Sequence, residues 1–141
     1  MSNRPGSVMF VCSLNQIRSP MAEFLTRDIY SGKIFSQSAG VEAGGEDGFM
    51  QAAMLERGID TSAHEPITIE EIDDIYVDLI VTLTERAHEH TLKFVADQSV
   101  AVEFWPIENP SRTMGRRDEI LEAYRKTREV LEARIRERFG D

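Results

Sequence analysis

Four short runs rich in apolar and β-branched residues, Val8 to Val11, Ile34 to Phe35, Asp78 to Leu83 and Val100 to Trp105, are spaced along the chain with helix-patterned stretches between them. Parallel strands need a crossover, usually a helix, to return the chain to the same end of the sheet, so this alternation implies parallel pairing. The runs at 78–83 and 100–104 are almost continuously apolar, the pattern of strands covered on both faces. The rhythm predicts an α/β three-layer sandwich with a four-stranded parallel sheet. Sheets of this kind bind ligands at the carboxyl ends of their strands.

The helices between the strands carry their own start and stop signals. Ser19 reads as the N-cap of a helix to about Ser31, with Pro20 in its first position and Glu23 one turn on. A second helix is predicted from Asp47 to Arg57, ended by Gly58, and a short third from Thr68 to Ile75, with Glu71 at the capping-box position. Thr84 opens a fourth, ending near Phe94. In the last and longest, Ile120, Tyr124, Thr127, Leu131 and Ile135 form one core-facing stripe. Phe104 and Trp105 read as core.

At 141 residues, with 41% hydrophobic and 29% charged, the chain has room for one domain, taken as 1–141. No run approaches the ~20 apolar residues of a membrane span, and the chain is read as soluble and cytoplasmic, with no membrane partner. A net charge of −9 removes duplex nucleic acid as a partner. The charge is uneven: residues 42–90 hold 13 acids against two bases, whereas 111–140 hold nine bases against six acids. One cysteine rules out an internal disulfide and a CxxC zinc ribbon. His64, His88 and His90 lack a cysteine partner, and two of them lie on an acidic helix where such side chains are usually solvated, so no metal is expected.

Chemistry concentrates in VMFVCSLNQIRSPMAE, residues 8–23, where a buried strand ends at Cys12, five residues follow, and Arg18 precedes the first helix. A loop between a parallel strand and a helix N-terminus can turn the backbone N–H groups of Ser13, Leu14, Asn15, Gln16, Ile17 and Arg18 onto one anion. The Arg18 fork matches two phosphate oxygens. Cationic neighbours and helix N-termini favour thiolate over thiol, so Cys12 is the candidate nucleophile under a bound phosphate.

The segment CSLNQIRSPMAE resembles the signature loop of the low-molecular-weight protein tyrosine phosphatases. SAG at 38–40, LERGIDTSAH at 55–64, DLIVTLTE at 78–85 and WPIENPS at 105–111 match further segments in order, so the resemblance spans nearly the whole chain. It implies a flavodoxin- or Rossmann-like sandwich and a two-step reaction in which Cys12 attacks phosphorus and water hydrolyses the phosphocysteine. It implies that Arg18 and the N–H groups of residues 13–18 hold the phosphoryl oxygens. Asn15 would prop the loop through Ser38, and Ser19 would donate to the Cys12 sulfur, with no metal or cofactor. The implied partner is a phosphorylated protein or a small phosphate monoester, and the implied state a monomer or weak dimer.

The sequence departs from the family pattern at the general acid. The family's Asp-Pro pair reads Asn109-Pro110 here, and an amide cannot supply a titratable proton. Glu108 is the substitute candidate for that role. The family's pocket-mouth aromatics are replaced by VEAGGEDG and SRTMG, and Glu42, Glu46 and Asp47 would repel an acidic phosphopeptide. Arg112 reads as a surface residue that could restore some attraction for anions. Ile17 stands where many family members carry a second cysteine, leaving Cys12 without disulfide protection against overoxidation. The leading expectation is a cysteine-dependent phosphatase acting on protein phosphotyrosine or a related phosphate monoester, with activity lowered by Asn109 in place of the usual acid. The alternatives are a phosphate-binding pseudophosphatase and an arsenate reductase that would need an external thiol.

Overall fold

The computed structural model describes residues 4–72 and 75–140. Strands β1 (Ser7–Cys12), β2 (Phe35–Gly40), β3 (Leu79–Thr82) and β4 (Ala101–Phe104) lie parallel in the order β2-β1-β3-β4. The order reverses at β1, whose neighbours come from both later parts of the chain, and this opens a crevice where Cys12 ends its strand. The helices are α1 (Arg18–Ile29), α2 (Gly48–Leu55), α3 (Glu85–Phe94) and α4 (Arg117–Phe139), with 3-10 turns at Ile69–Glu71 and Pro110–Arg112. No helix among the described residues is long and apolar enough to cross a membrane.

Period-two alternation along β1 divides the interior into two layers. Val8, Phe10 and Cys12 point to the side of α1, α2 and α4, joined by Leu79, Val81 and Leu83. Met9 and Val11 point the other way and meet Ile80, Ala87 and Val95 under α3. On the larger side Trp105 is buried between Phe10 and Phe139, with ring centroids 6.0 Å from each. Tyr124, Thr127, Leu131 and Ile135 of the α4 stripe are buried, and Ile120 packs against the same core. Charged pairs then fasten α4 to α2: Glu56 accepts from Arg125 and Arg128, and Arg57 pairs with Glu132. The Tyr124 hydroxyl donates to Asp47 Oδ2 at 2.8 Å.

Several boundaries differ from the sequence reading. β2 extends from Phe35 to Gly40, well beyond Ile34 to Phe35, because its polar residues are buried with partners: Ser36 Oγ donates to the Glu23 carbonyl at 2.9 Å. The expected helix from Thr68 to Ile75 is only a 3-10 turn at Ile69–Glu71, although Thr68 N–H does donate to Glu71 Oε2 at 2.7 Å. Asp73 and Asp74 of that stretch lie outside the described residues, as do residues 1–3 and Asp141 of the expected domain. β4 is an edge strand with Ala101 exposed and Val102, Glu103 and Phe104 half-buried, so it is not covered on both faces as its apolar run implied. α2 is shorter than Asp47 to Arg57, with Asp47 capping it through Met50 N–H at 3.0 Å and Gly58 taking φ 73° beyond its end. Thr84 caps α3 by accepting from Ala87 N–H at 3.0 Å.

Candidate active site

The segment from Cys12 to Arg18 leaves the carboxyl end of β1 and feeds α1. Its carbonyls face outward: Cys12, Ser13 and Leu14 accept from the N–H groups of Val41, Glu42 and Gly44 at 3.1, 2.9 and 2.8 Å. The Asn15 carbonyl meets His64 Nε2 at 3.0 Å. The peptides are all trans, and in a trans peptide the N–H opposes the carbonyl. The N–H groups of Ser13, Leu14, Asn15 and Gln16 therefore turn to the inside of the loop. The Arg18 N–H joins them as an unpaired donor of the first helical turn, since Ile17 C=O is spent on Met21 N–H at 3.0 Å.

Asn15 holds this shape from within. It is wholly buried, with φ 52°, a left-handed conformation that asparagine tolerates better than most residues. Its Oδ1 accepts from Ile67 N–H at 3.0 Å, which fixes the amide orientation and turns Nδ2 toward two serines. Nδ2 donates to Ser19 Oγ and to Ser38 Oγ, each at 2.9 Å. Ser38 then gives its own proton to Glu23 Oε1 at 2.5 Å, and Glu23 is paired behind with Arg27. Ser19 likewise keeps one proton. Cys12 Sγ lies at 2.9 Å and the Ala39 carbonyl at 3.4 Å, so the Ser19 hydroxyl has two acceptors in reach and donates to the nearer sulfur when Cys12 is ionised.

Arg18 is half-buried, and its Nη1 donates to the Ile107 carbonyl at 2.9 Å, tying the loop to the segment after β4. Burial lowers the affinity of this guanidinium for its proton, the Cys12 sulfur partly offsets that, and the charge of Arg112 lowers it further. Arg112 is exposed at the end of the Pro110–Arg112 turn. Asn109 caps that turn: its Oδ1 accepts from Ser111 N–H at 3.0 Å and from Ser111 Oγ at 2.7 Å. Glu108 is exposed and, with Asn109, lines a cleft of about 550 Å³ against Glu119, Glu122 and Lys126 of α4. Cys12 and Arg18 do not line that cleft.

The structure thus brings Cys12, residues 13–18, Ser19 and Ser38 together and leaves Glu108 to one side. Ser19 is not the N-cap the sequence indicated. Ile17 occupies that position without a side-chain bond, and Ser19 lies inside α1 with its hydroxyl committed to Asn15 and Cys12. An uncapped helix start leaves its first donors for an anion. Three contributors escaped the sequence reading. Glu23 looked like a first-turn acid but is nearly buried beneath Ser38. His64, discounted as a metal ligand and given no other role by the sequence, has its Nε2 3.0 Å from the Asn15 carbonyl and supports the loop. Gly40 is required for contact: a Cβ there would lie 2.7 Å from Asn15 N and 2.4 Å from the Glu42 carbonyl. A buried acid four residues before an arginine on the same helix was the available signal for Glu23; none pointed to His64.

A model of the low molecular weight phosphotyrosine protein phosphatase family matches residues 7–139. The chain is similar to the glutaredoxin arsenate reductase of Synechocystis sp. (strain ATCC 27184 / PCC 6803 / Kazusa), with 30% identity over 128 residues, 91% of this chain and 92% of that one. Among solved structures it is similar to the arsenate reductase from Archaeoglobus fulgidus DSM 4304, with a TM-score of 0.70, 30% identity, and 95% and 99% of the two chains covered. The YwlE arginine phosphatase from Geobacillus stearothermophilus aligns with a TM-score of 0.68 and 26% identity, over 92% and 87% of the two chains.

Proposed function

Because this chain belongs to the low molecular weight phosphotyrosine protein phosphatase family, matched over residues 7–139, we propose that it is a cysteine-dependent phosphatase working through a phosphocysteine. The observation that carries this reading is the Ser19 hydroxyl 2.9 Å from Cys12 Sγ, held there by Asn15 Nδ2, so that its proton can be given to the sulfur whenever Cys12 is the thiolate. A hydrogen bond to sulfur favours the anion, both when it attacks and when it departs. The N–H groups of residues 13–16 and 18, with the Arg18 fork, hold the equatorial phosphoryl oxygens as charge moves in the transition state. Cys12 Sγ forms a bond to phosphorus while the bond to the leaving oxygen breaks. Water then attacks phosphorus, the P–S bond breaks, and its electron pair returns to sulfur. The substrate is a phosphorylated protein or a small phosphate monoester, and a lone free thiol suits the cytoplasm.

The test is hydrolysis of p-nitrophenyl phosphate by wild type and Cys12→Ser, with vanadate binding measured alongside. Turnover should vanish in the variant while vanadate still binds. Turnover surviving in Cys12→Ser would remove the thiol mechanism, and vanadate binding without wild-type turnover would leave an oxyanion-binding protein.

A second reading is arsenate reduction, favoured by the relatives named arsenate reductase. Arsenate is tetrahedral like phosphate and fits the same donors. With one cysteine in the chain, the two electrons that take arsenic from the pentavalent to the trivalent state must come, with Cys12 regenerated, from two external thiols that leave joined as a disulfide. Arsenate-dependent consumption of glutathione or a glutaredoxin, lost in Cys12→Ser, is the result that would establish it.

A further inference from the structure

We infer that the substrate of this site is a phosphoryl group on an acidic leaving group, an acyl phosphate whose carboxylate departs unprotonated and meets Arg112. The inference rests on the phosphatase reading above and concerns the segment after β4, tied to Arg18 through Ile107 C=O, which carries an amide, Asn109, followed by a cation, Arg112. Asn109 is also bound in place, since Ser111 N–H and Oγ both donate to its Oδ1. It caps a turn and delivers no proton.

The nearby carboxylates are occupied or displaced. Glu42, on the loop after β2, is paired with Arg86 of α3. Asp47 accepts from Met50 N–H and from Tyr124 Oη. Glu23 lies beneath the loop with Ser38 and Arg27. Glu46 borders a crevice with Gln16 and His64, and Glu108 borders the cleft against α4. Of these carboxylates, Glu23, Glu42 and Asp47 are engaged elsewhere and Glu46 and Glu108 border other clefts, whereas Arg112 lies near enough to Arg18 to act on its charge.

The chemistry follows from the leaving group. A phenolate, with a conjugate-acid pKa of about 10, needs a proton as the P–O bond breaks, and losing a positioned acid costs about 10²–10⁴-fold. A carboxylate, whose conjugate acid titrates near pH 4, takes the bonding pair as the stable anion at neutral pH. The two cations, Arg18 and Arg112, favour that developing charge. Di- and triphosphates also have acidic leaving groups, but they bring further negative charge to a chain of net charge −9 with Glu42 and Glu46 beside the loop. The first step balances without a proton: the Sγ–P bond forms, the P–O bond breaks, and carboxylate leaves. In the second step water attacks phosphorus, sulfur departs as thiolate, and the water proton passes to a phosphate oxygen or to solvent. With no base to assist the water, this step is slow and phosphocysteine accumulates.

The experiment compares kcat/KM and pre-steady-state bursts for benzoyl phosphate, p-nitrophenyl phosphate and phenyl phosphate, using wild type, Cys12→Ser, Asn109→Asp, Arg112→Ala and Glu108→Gln. In wild type, benzoyl phosphate should exceed phenyl phosphate by at least about 10²-fold, with a burst approaching one equivalent per enzyme. Asn109→Asp should raise phenyl phosphate turnover by about 10²-fold or more and narrow the gap. Arg112→Ala should lower benzoyl phosphate turnover several-fold more than phenyl phosphate turnover. Equal Cys12-dependent turnover of benzoyl and phenyl phosphates would overturn the inference and leave the cysteine phosphatase standing. So would a collapse of phenyl phosphate turnover in Glu108→Gln, because it would reveal the missing acid. Absence of Cys12-dependent turnover on all three substrates would overturn both.

Discussion

Replacing Asn15 with alanine removes three hydrogen bonds and one conformational accommodation at once. The side chain donates to Ser19 and Ser38 and accepts from Ile67 N–H, all within 3.0 Å and wholly buried. At about 1 kcal/mol net each, the bonds contribute about 3 kcal/mol, and stranding a buried Ile67 N–H moves the cost upward. The backbone at φ 52° adds about 1 kcal/mol for alanine and nothing for glycine. Asn15→Ala should therefore cost about 4 kcal/mol in urea unfolding and Asn15→Gly about 3, out of a total near 5–15 kcal/mol for a domain. Saturating phosphate provides an internal control. Wild type should gain about 2.7 kcal/mol at a hundred times the dissociation constant, and Asn15→Ala should gain far less at the same concentration. If Asn15→Ala unfolds within about 1 kcal/mol of wild type, this side chain does not hold the loop and the proton assignment at Ser19 loses its basis.

Gly40→Ala should displace the loop, because the new methyl would lie 2.4 Å from the Glu42 carbonyl and 2.7 Å from Asn15 N; about 10²-fold loss of p-nitrophenyl phosphate turnover is expected, with a folded circular dichroism spectrum. Trp105→Ala empties the space between Phe10 and Phe139 and should cost about 3–5 kcal/mol in urea unfolding. Arg125 and Arg128 hold Glu56 at about pKa 2, below its ordinary 4.5. A depressed carboxylate stabilises the fold above its unfolded value and loses that contribution as the pH falls toward its folded one. Wild type should thus outlast Glu56→Gln in urea above pH 4.5, with the gap closing toward pH 2.

The parallel sheet was legible because β1 and β3 are buried on both faces and therefore apolar without interruption. β2 was read as two residues because the polar Ser36, Gln37 and Ser38 interrupt its apolar run. Their burial depends on Glu23, thirteen to fifteen positions away in the chain, and no local pattern shows such a partner. β4 misled in the opposite direction, since an apolar run does not record that a strand has only one neighbour. At the site, Cys12 and Arg18 were legible from residue type and spacing, and Asn15, Ser19 and Ser38 from a resemblance. The position of Ser19 two residues past the N-cap of α1 was not, because Ser-Pro before an amphipathic run is the usual start signal and only the bonds to Asn15 and Cys12 explain the exception. Which carboxylates reach the mouth depended on side-chain direction. That is set by tertiary contacts such as Ser111 on Asn109 and Arg86 on Glu42.

The unequal covering of the sheet has a consequence for amide hydrogen exchange. α1 buries Ser19 through Glu23, Leu25 and Thr26, whereas α3 buries only Ala87 and Thr91. The layer beneath α3 is correspondingly small. Sub-global opening is set by how much apolar surface an element gives up, so α3 and the edge strand should exchange with deuterium well before β1 and α1. The loop meets the α3 side through Ser13 Oγ and Thr84 Oγ1 at 3.1 Å, and Arg86 of α3 pairs with Glu42 on the adjoining loop after β2, whereas the buried bonds of Asn15 run to α1, β2 and Ile67. The oxyanion loop therefore belongs to the slow-exchanging half of the molecule and should keep its protection while the α3 layer breathes.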